Sequence, residues 1–295
     1  MTESVKRLHI DLSRVEEVDV IGAVAFASNL AKMTASKSEF VFQLLPPSRP
    51  QVAAIFEELE YEFLLSQLGM RSLGQDDMWS NIPKVKRSRL IWSSSSVGGK
   101  QKLIFIPKIG ASQREKALEQ VRKQLQSFYT SNPSANINYG QIHQILHEIV
   151  KNTIDHSEQP GVLGLKVERL VGKKDKFSFM HCELGDGIAM NVRNYLAENK
   201  DSRLALLAEK GSTADFLHWA FTPGNSSRPD SGFNAGLGLS TIRAAAKGGA
   251  IRVYFSDAES LAYVSDFPSS FSHREIRRRI FHSVRIPCFA YFGHM

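Results

Sequence analysis

Hydrophobic and polar positions in the first 70 residues follow a strand–helix–strand–helix order. The segment LHIDL (8–12) alternates apolar and polar residues as a half-buried strand does, and VDVIGAVAFASNLAKM (18–33) continues with apolar residues at helical spacing. FVFQLLP (40–46) predicts a second strand, and residues 51–68 have the apolar spacing of one amphipathic helix or two short ones. These four elements are sufficient for a small α/β layer.

The hydrophobic pattern fades between residues 71 and 101, where polar, glycine, serine and basic residues take its place. Such a stretch is typical of a boundary between domains. A chain of 295 residues is long enough for two domains that each have their own core. We therefore predict a small first domain over residues 1–85 and a larger second domain over residues 86–295.

Periodicity returns in the second domain and predicts further strands and helices. The predicted strands are 102–107, 162–171, 176–185 and 251–256, of which the middle two form a hairpin. The predicted helical segments are 113–129, 140–157, 188–220 and 240–247. The whole chain is therefore predicted to be α/β, with helices and sheet in two layers.

The helix predicted over 140–157 carries an unusual row of polar residues within HEIVKNTIDHS (147–157). Glu148, Asn152 and His156 are spaced i, i+4 and i+8, which leaves an acid, an amide and an imidazole on one helix face. Such a row is either an exposed polar face or one wall of a binding site. The spacing alone leaves both interpretations open.

A glycine-containing turn follows the second strand of the predicted hairpin. In CELGDGIAMN (182–191), Gly185 and Gly187 permit a tight turn beside the carboxylates of Glu183 and Asp186. A carboxylate at a strand end can accept a hydrogen bond from the exocyclic amine of a purine. A charged β-turn without a ligand is the alternative interpretation.

A second glycine-rich segment, GFNAGLGLS (232–240), opens the last predicted helix. Backbone N–H groups are free at a helix N-terminus, and the helix dipole there favours an anion such as a phosphate. A purely structural turn is the alternative. The segment SVGGKQ (96–101) is not a P-loop, because Gln101 stands where a Ser or Thr would bind magnesium.

Composition and charge exclude some classes of protein. The net charge is +7, but the basic runs KVKRSR (84–89) and REIRRR (274–279) are not interleaved with aromatic residues, so nucleic acid and membrane surfaces are not favoured as partners. Cys182 and Cys288 are far apart in apolar settings, as expected of thiols in a reducing compartment. The sequence has no basic-then-apolar leader and no apolar run of about 18 residues, which predicts a cytoplasmic protein.

Taken in order, three of these segments resemble the ATP-binding motifs of the GHKL superfamily, which includes histidine kinases, anti-sigma serine kinases and gyrase-type topoisomerases. HEIVKNTIDHS is similar to the N box, ELGDGIA to the first glycine box and NAGLGLS to the second. FTPGNSSRP (221–229) looks like the start of the ATP lid. The resemblance covers residues 113–256 and implies a Bergerat-type α/β sandwich of mixed sheet and helices.

The resemblance implies a role for each matching residue in binding ATP and Mg²⁺. Asn152 would bind Mg²⁺ through its side-chain oxygen, Glu148 would be the general base near the γ-phosphate, and Glu183 would face the adenine. Backbone amides in the second glycine box would cradle the phosphates beneath a mobile lid. The other implied ATP-binding residues are Gly185, Asp186, Gly187, Arg228, Gly232, Gly236, Leu237, Gly238 and Leu239.

The sequence departs from the family pattern in three places. Glu183 stands where the family usually has Asp, which predicts weaker nucleotide binding or a share for Asp186. Asn234 replaces the first glycine of the second glycine box, and this change is expected to be tolerated because Asn enters positive φ readily. The family also closes with a further strand, and PCFAYFGHM (287–295) predicts one that is cut short or arranged differently.

The first domain resembles a STAS domain of the anti-sigma-factor-antagonist type. In that family a strand leads to a D-S-x-G-like turn with a phosphorylatable serine, and the corresponding segment here is DVIG (19–22). Asp19 and Gly22 match, whereas Val20 and Ile21 occupy the positions where the serine would be. The resemblance therefore implies a docking or scaffold module that is not phosphorylated at this turn.

Together these resemblances predict a regulatory or signalling protein that binds Mg·ATP. No helix with a phosphoacceptor histidine precedes the motifs in the form that a sensor histidine kinase needs. Serine-kinase-like phosphoryl transfer or a conformational ATPase is therefore favoured. The alternative is a degenerate, non-catalytic nucleotide-binding or protein-interaction module. A protein partner is implied, and a homodimer stays open.

Overall fold

Strands and helices are mixed throughout the described part of the chain, which is α/β. The computed structural model describes residues 6–35, 40–67, 91–94, 100–156, 159–169, 171–172, 174–183, 187–199, 201–227, 236–246, 252–256, 261–263 and 289–294. The helices are α1 Val20–Ala35, α2 Pro50–Glu58, α3 Tyr61–Gln67, α4 Arg114–Ser131, α5 Tyr139–His156, α6 Gly187–Ala197, α7 Ser202–Lys210, α8 Thr213–Ala220 and α9 Gly238–Ala246. The strands are β1 Lys6–Asp11, β2 Phe40–Leu45, β3 Trp92–Ser93, β4 Gln101–Ile106, β5 Gly161–Glu168, β6 Lys176–Glu183, β7 Arg252–Ser256, β8 Leu261–Tyr263 and β9 Phe289–His294. Among these described helices, none combines the length and the apolar character needed to cross a membrane.

Seven strands form one sheet in the order β3-β4-β5-β6-β9-β7-β8, and β1 and β2 form a separate parallel pair. Each neighbouring pair in the large sheet is antiparallel, which differs from the mixed sheet expected from the sequence. The closing strand β9 lies between β6 and β7, with Ala290 opposite Cys182. The segment that was expected to be cut short or arranged differently is six residues long and pairs along its whole length with β6.

Strands β4, β5 and β6 are apolar on both faces because helices cover the sheet from both sides. Along β4, Ile104 and Ile106 belong to one cluster of buried residues, and Leu103 and Phe105 belong to the other. This alternation continues across β5 and β6, since residues at paired positions share a face. The sheet is therefore the middle layer of three, where the sequence predicted two layers.

Helices α4 and α5 cover the first face of the sheet. Their apolar residues recur every three or four positions, so one stripe of each helix is buried against the strands. The buried residues include Val121, Leu125 and Phe128 in α4, and Ile142, Ile145, Ile149 and Val150 in α5.

An ion pair fixes the C-terminal end of α5 against the start of α4. Arg114 Nε and Nη2 donate to the two carboxylate oxygens of Asp155 at 2.5 and 2.9 Å, and the two side chains are only 11% and 5% exposed. The hydrogen bond to Asp155 raises the pKa of Arg114. This bidentate geometry holds α5 in one orientation, which positions the polar row on its side.

Helix α1 covers the second face of the sheet. Val20 and Val24 are fully buried over Gly164 of β5, where a Cβ atom would come within 2.9 Å of Val24 Cγ2. Such a close approach requires glycine at position 164. The described part of the predicted first domain therefore shares a hydrophobic core with the large sheet. The predicted boundary at residue 85 lies outside the described residues.

Polar contacts fix the first turn of α1 on the sheet. Asp19 Oδ1 accepts the N–H of Gly22 at 2.8 Å, and Asp19 Oδ2 accepts from Lys166 Nζ of β5 at 2.9 Å. Burial disfavours the charge of Asp19, but these two partners lower its pKa overall. The N–H of Val20 donates to Gln101 Oε1 at 2.7 Å. The turn DVIG is thus bound to strands β4 and β5.

The helical stretch predicted over 188–220 is divided into α6, α7 and α8. Asp201 accepts the N–H of Arg203 at 2.8 Å and begins α7. Ser212 and Asp215 form a capping box that begins α8. These side chains bond N–H groups that have no partner within the helix, so each one sets a new helix start.

Candidate functional site

Helix α5 divides its residues between the core and a pocket at its side. Ile145 and Ile149 are fully buried against the sheet. Glu148 and Asn152, one turn apart, line the pocket. The polar row could be either an exposed face or one wall of a site. Glu148 and Asn152 form part of the wall of a pocket.

The pocket has a volume of about 370 Å³ and lies between α5, the end of β6, α6, the segment after α8 and the start of α9. Clefts of this size are typical of small-molecule sites. It is built where β6 and α8 end and where α6 and α9 begin. The residues singled out in the sequence that line it are Glu148, Asn152, Glu183, Gly236, Leu237, Gly238 and Leu239.

Some predicted site residues lie elsewhere or outside the described part of the chain. Gly187 begins α6 with φ of 78° and precedes the lining residue Ile188, but it is not itself among the described residues that line the pocket. The predicted residues Gly185, Asp186, Arg228 and Gly232, and also Asn234, lie outside the described residues.

Two polar atoms at the pocket are buried without a hydrogen bond. Within the described residues, Glu148 Oε2 and Asn152 Nδ2 have no hydrogen-bond partner. An unpartnered buried polar group costs about 1–3 kcal/mol, and more when it is charged. A site that keeps two such atoms side by side is suited to a ligand that supplies their partners.

The start of α9 lies directly against these two side chains. A Cβ atom at Gly238 would be 2.7 Å from Glu148 Oε2 and 3.3 Å from Asn152 Oδ1. The first N–H groups of a helix have no acceptor within the helix, and the dipole adds positive potential there. The absence of a side chain at position 238 therefore brings an anion-binding helix start close to the acid and the amide.

Three charged residues are among the described residues that line the pocket: Glu148, Lys151 and Glu183. Lys151 Nζ lies 3.7 Å from Glu148 Oε2, and the two side chains are 20% and 18% exposed. This distance is an ion-pair contact but too long for a hydrogen bond. The pocket thus contains a loosely paired cation beside the acid of the N-box-like motif.

Glu183 is the last residue of β6 and is 4% exposed. Two residues earlier, His181 Nε2 lies 2.9 Å from the Thr153 hydroxyl of α5. Burial lowers the pKa of His181 to about 3, so the ring is neutral at pH 7. The absence of a side chain at Gly161 makes room for this contact, since a Cβ there would be 2.8 Å from Thr153 Cγ2. The contact joins β6 to α5 and sets the position of Glu183 relative to Asn152.

Two glycines join the segment after α8 to the segment before α9. Gly224 and Gly236 have φ of 88° and 67°, and the N–H of Gly224 donates to the carbonyl of Gly236 at 3.1 Å. A Cβ at Gly236 would be 2.5 Å from the carbonyl carbon of Gly224, so only glycine fits there. Asn225 Nδ2 donates to the Trp219 carbonyl at 2.9 Å and holds the same turn. This junction forms one rim of the pocket.

Sequence reasoning missed part of the lining. Lys151 lies inside the quoted N-box-like motif, and its i+3 spacing from Glu148 was the signal that could have identified it. The other lining residues that were missed lie in segments that the sequence assigned only to a predicted helix or to the ATP lid. The remaining missed residues are Ile188, Asn191, Val192, Trp219, Ala220, Asn225, Ser226, Ser227 and Thr241.

Comparisons of the chain with protein-family models, with curated proteins and with solved structures found no match. The GHKL and STAS resemblances therefore stay hypotheses drawn from short motifs. The residues and geometry of the pocket provide the evidence for a function.

Proposed function

We propose that the chain is a Mg·ATP-binding regulatory or signalling protein that acts on a protein partner, by serine-kinase-like phosphoryl transfer or as a conformational ATPase. The observation that supports this best is the placement of Glu148 Oε2 and Asn152 Nδ2, which have no hydrogen-bond partner among the described residues, beside the start of α9. An acid and an amide that face a helix N-terminus suit a phosphate together with a hard cation.

The residues of the pocket fit such a ligand from base to phosphate. Glu183 would accept a hydrogen bond from the adenine amine, and the amides at Gly238 and Leu239 would donate to phosphate oxygens. Asn152 would offer its side-chain oxygen to Mg²⁺, and this oxygen lies nearer to the Cβ position of Gly238 than the amide nitrogen does, at 3.3 against 3.8 Å. In the described part of the chain no three His, Cys, Asp or Glu side chains come together as a metal site, so phosphate and water oxygens would complete the ligand set.

Glu148 is the proposed general base. Its carboxylate would accept the proton of the attacking hydroxyl, which belongs to water in an ATPase and to a serine side chain in a kinase. Bound Mg²⁺ would neutralise charge on the phosphates. The close approach of Gly238 keeps the Glu148 carboxylate at the start of α9, where the terminal phosphate would bind.

A non-catalytic nucleotide-binding module is the second candidate. The ion pair between Lys151 and Glu148 favours it, because the ammonium lies 3.7 Å from the carboxylate oxygen Oε2 that an attacking hydroxyl would have to reach. This candidate predicts that the unsubstituted chain binds Mg·ATP without turning it over.

Equilibrium binding and turnover of Mg·ATP in the intact chain test both candidates. The variants are Glu148→Ala and Asn152→Ala, with Gln144→Ala as the control on the same helix because Gln144 is exposed. If the chain is an enzyme, we expect it to turn over Mg·ATP, and we expect Glu148→Ala to abolish turnover while binding persists. We also expect Mg²⁺-dependent binding to be weaker in Asn152→Ala. Absence of ATP binding by the unsubstituted chain would contradict both candidates.

A further inference from the structure

The charge balance of the pocket requires a cation in addition to Mg²⁺. The described lining has two carboxylates, Glu148 and Glu183, and one ammonium, Lys151. A nucleotide triphosphate adds several negative charges to this small volume. Like charges at such short range repel strongly unless counter-charges lie among them.

Lys151 is placed to supply that counter-charge. It precedes Asn152 on α5 and lies three residues after Glu148, so all three side chains face the same pocket. Its Nζ contacts Glu148 Oε2 at 3.7 Å, whereas Lys166 Nζ pairs with Asp19 and Glu168 at 2.9 and 2.6 Å. Among the described residues, Lys166 thus has two close partners and Lys151 has one distant partner. A long flexible stem lets the Lys151 ammonium change partner without a backbone movement.

We propose that Lys151 binds the terminal phosphate of the nucleotide and exchanges Glu148 for it when the ligand enters. This inference rests on the proposed nucleotide-binding function and adds a phosphate-binding residue to that site. The exchange leaves the Glu148 carboxylate without its ammonium partner. Lys151 therefore selects a ligand by the length of its phosphate chain, and it releases the acid only when a terminal phosphate is present.

A purely structural role for Lys151 predicts something different. An i, i+3 ion pair on a helix stabilises the helix by only a few tenths of a kcal/mol, about the size of a surface pair. Its loss would then have no dependence on the number of phosphates in a ligand. Dependence on phosphate number is thus the property that separates the two roles.

The test is the equilibrium binding of ATP, ADP and adenosine to the intact chain, measured by calorimetry with Mg²⁺ present. The variant is Lys151→Met, which keeps the length of the side chain and removes the charge. We expect ATP binding to weaken about 10- to 100-fold, as for loss of a charge-assisted contact, and adenosine binding to change less than about threefold. Lys151→Arg keeps the charge and should retain most of the ATP affinity.

Lys123→Met is the matched control, because Lys123 is 70% exposed on α4 and lies 3.5 Å from Glu119 in an i, i+4 pair. It should leave the affinity for all three ligands unchanged. Thermal unfolding of each variant confirms that it is folded, and Lys151→Gln provides a second neutral side chain if Lys151→Met unfolds.

Three results would overturn the inference. Equal weakening for ATP and adenosine in Lys151→Met would assign the residue a structural role. Unchanged ATP affinity in that variant would remove Lys151 from the site and leave the proposed function standing. If the unsubstituted chain binds none of the three ligands, the proposed function fails first and this inference fails with it.

Discussion

The two faces of the large sheet are both covered by helices, but the polar groups beneath those helices differ in their hydrogen-bond partners. On the face covered by α1, the carboxylate of Asp19 has two partners at 2.8 and 2.9 Å. Across the sheet, at the side of α5, Glu148 Oε2 and Asn152 Nδ2 are buried without a hydrogen-bond partner among the described residues. Under α1 the carboxylate is satisfied within the chain, and the buried Ser28 Oγ, which has no partner among the described residues, is a single hydroxyl. At α5 an acid and an amide without such partners lie one turn apart at a pocket.

This difference suggests that the polar groups under α1 serve packing and that those at the side of α5 serve ligand binding. A buried polar group left without a partner lowers the stability of the folded chain, so a pair of them calls for an explanation other than folding. A bound ligand would give these atoms their partners. The contrast predicts that substitutions at the pocket change ligand binding or turnover, and that substitutions under α1 change the free energy of unfolding.

The largest effect is expected from Glu148→Gln, which keeps the shape of the side chain and removes its charge. If Glu148 is the general base, turnover of Mg·ATP falls by about 10²- to 10⁴-fold, since this is the usual contribution of such a group. Nucleotide affinity should change little. Steady-state turnover and calorimetric binding, measured on one preparation, check this together.

Gln144→Ala should leave turnover and affinity unchanged, because Gln144 lies one turn before Glu148, is exposed, and is not among the described residues that line the pocket. Equal turnover in Glu148→Gln and the unsubstituted chain would mean that the acid is not the base. The pocket would then belong to a binding module.

The second effect is on the free energy of unfolding and concerns the face of the sheet that α1 covers. In Gly164→Val the new Cβ would meet Val24 Cγ2 at 2.9 Å and Val20 Cγ2 at 3.1 Å, so α1 must move away from β5. Overpacking of this kind costs about 3 kcal/mol. The urea concentration at the midpoint of unfolding should fall. The amount of nucleotide bound per folded molecule at saturation should stay the same.

Gly110→Val is the matched control for this substitution. Gly110 has φ of −78° in an extended conformation, and a Cβ there would have no atom within 4 Å among the described residues. We expect its stability to match that of the unsubstituted chain. Similar losses in both variants would show that the approach of α1 to β5 is not the cause.

A third effect should appear in turnover without a loss of stability. In Gly238→Ala the new Cβ would lie 2.7 Å from Glu148 Oε2, and the flexible end of the Glu148 side chain can move to avoid it. The fold keeps its packing, but the acid leaves its position by about 1 Å. A misplacement of that size can lower turnover about 10- to 100-fold. A melting temperature that falls as far as in Gly164→Val would contradict this prediction.

Much of the fold could be predicted from the sequence because its pattern is local. The helix over 140–157 and the hairpin over 162–185 are found as α5, β5 and β6, since periodicity and turn residues define them directly. Residues 51–68 form two short helices, which was one of the two alternatives. Strands β3 and β8, of two and three residues, are too short to have a period and were not predicted.

The covering of the second face by α1 was not predicted, because a pattern of apolar residues does not say what an element packs against. A signal was nevertheless present in the unbroken apolar run LIFI (103–106), since a strand with one solvent-exposed face alternates apolar and polar residues. At the pocket, the motifs identified the acid and the amide. The approach of Gly238 to them depends on the tertiary fold.

The smallest effect concerns the contact between His181 and Thr153, which lies between the two regions and joins β6 to α5. Burial lowers the pKa of His181 to about 3, from an ordinary value of 6.5. Between these values the unfolded chain binds a proton that the folded chain does not, so stability is unaffected above pH 6.5 and falls as the pH decreases.

From pH 7.5 to pH 5.0 the loss amounts to about 2 kcal/mol for this one group. In His181→Gln, which keeps a polar side chain and cannot titrate, the difference between the free energies of unfolding at these two pH values should be smaller by that amount. Urea unfolding of both chains at both pH values measures it, and contributions from the other ionisable groups cancel in the comparison. An unchanged pH dependence would mean that His181 takes up its proton without leaving the fold. In that case the junction between β6 and α5 is open enough to hydrate, and Glu183 at its end is held less firmly than the packing of the first face indicates.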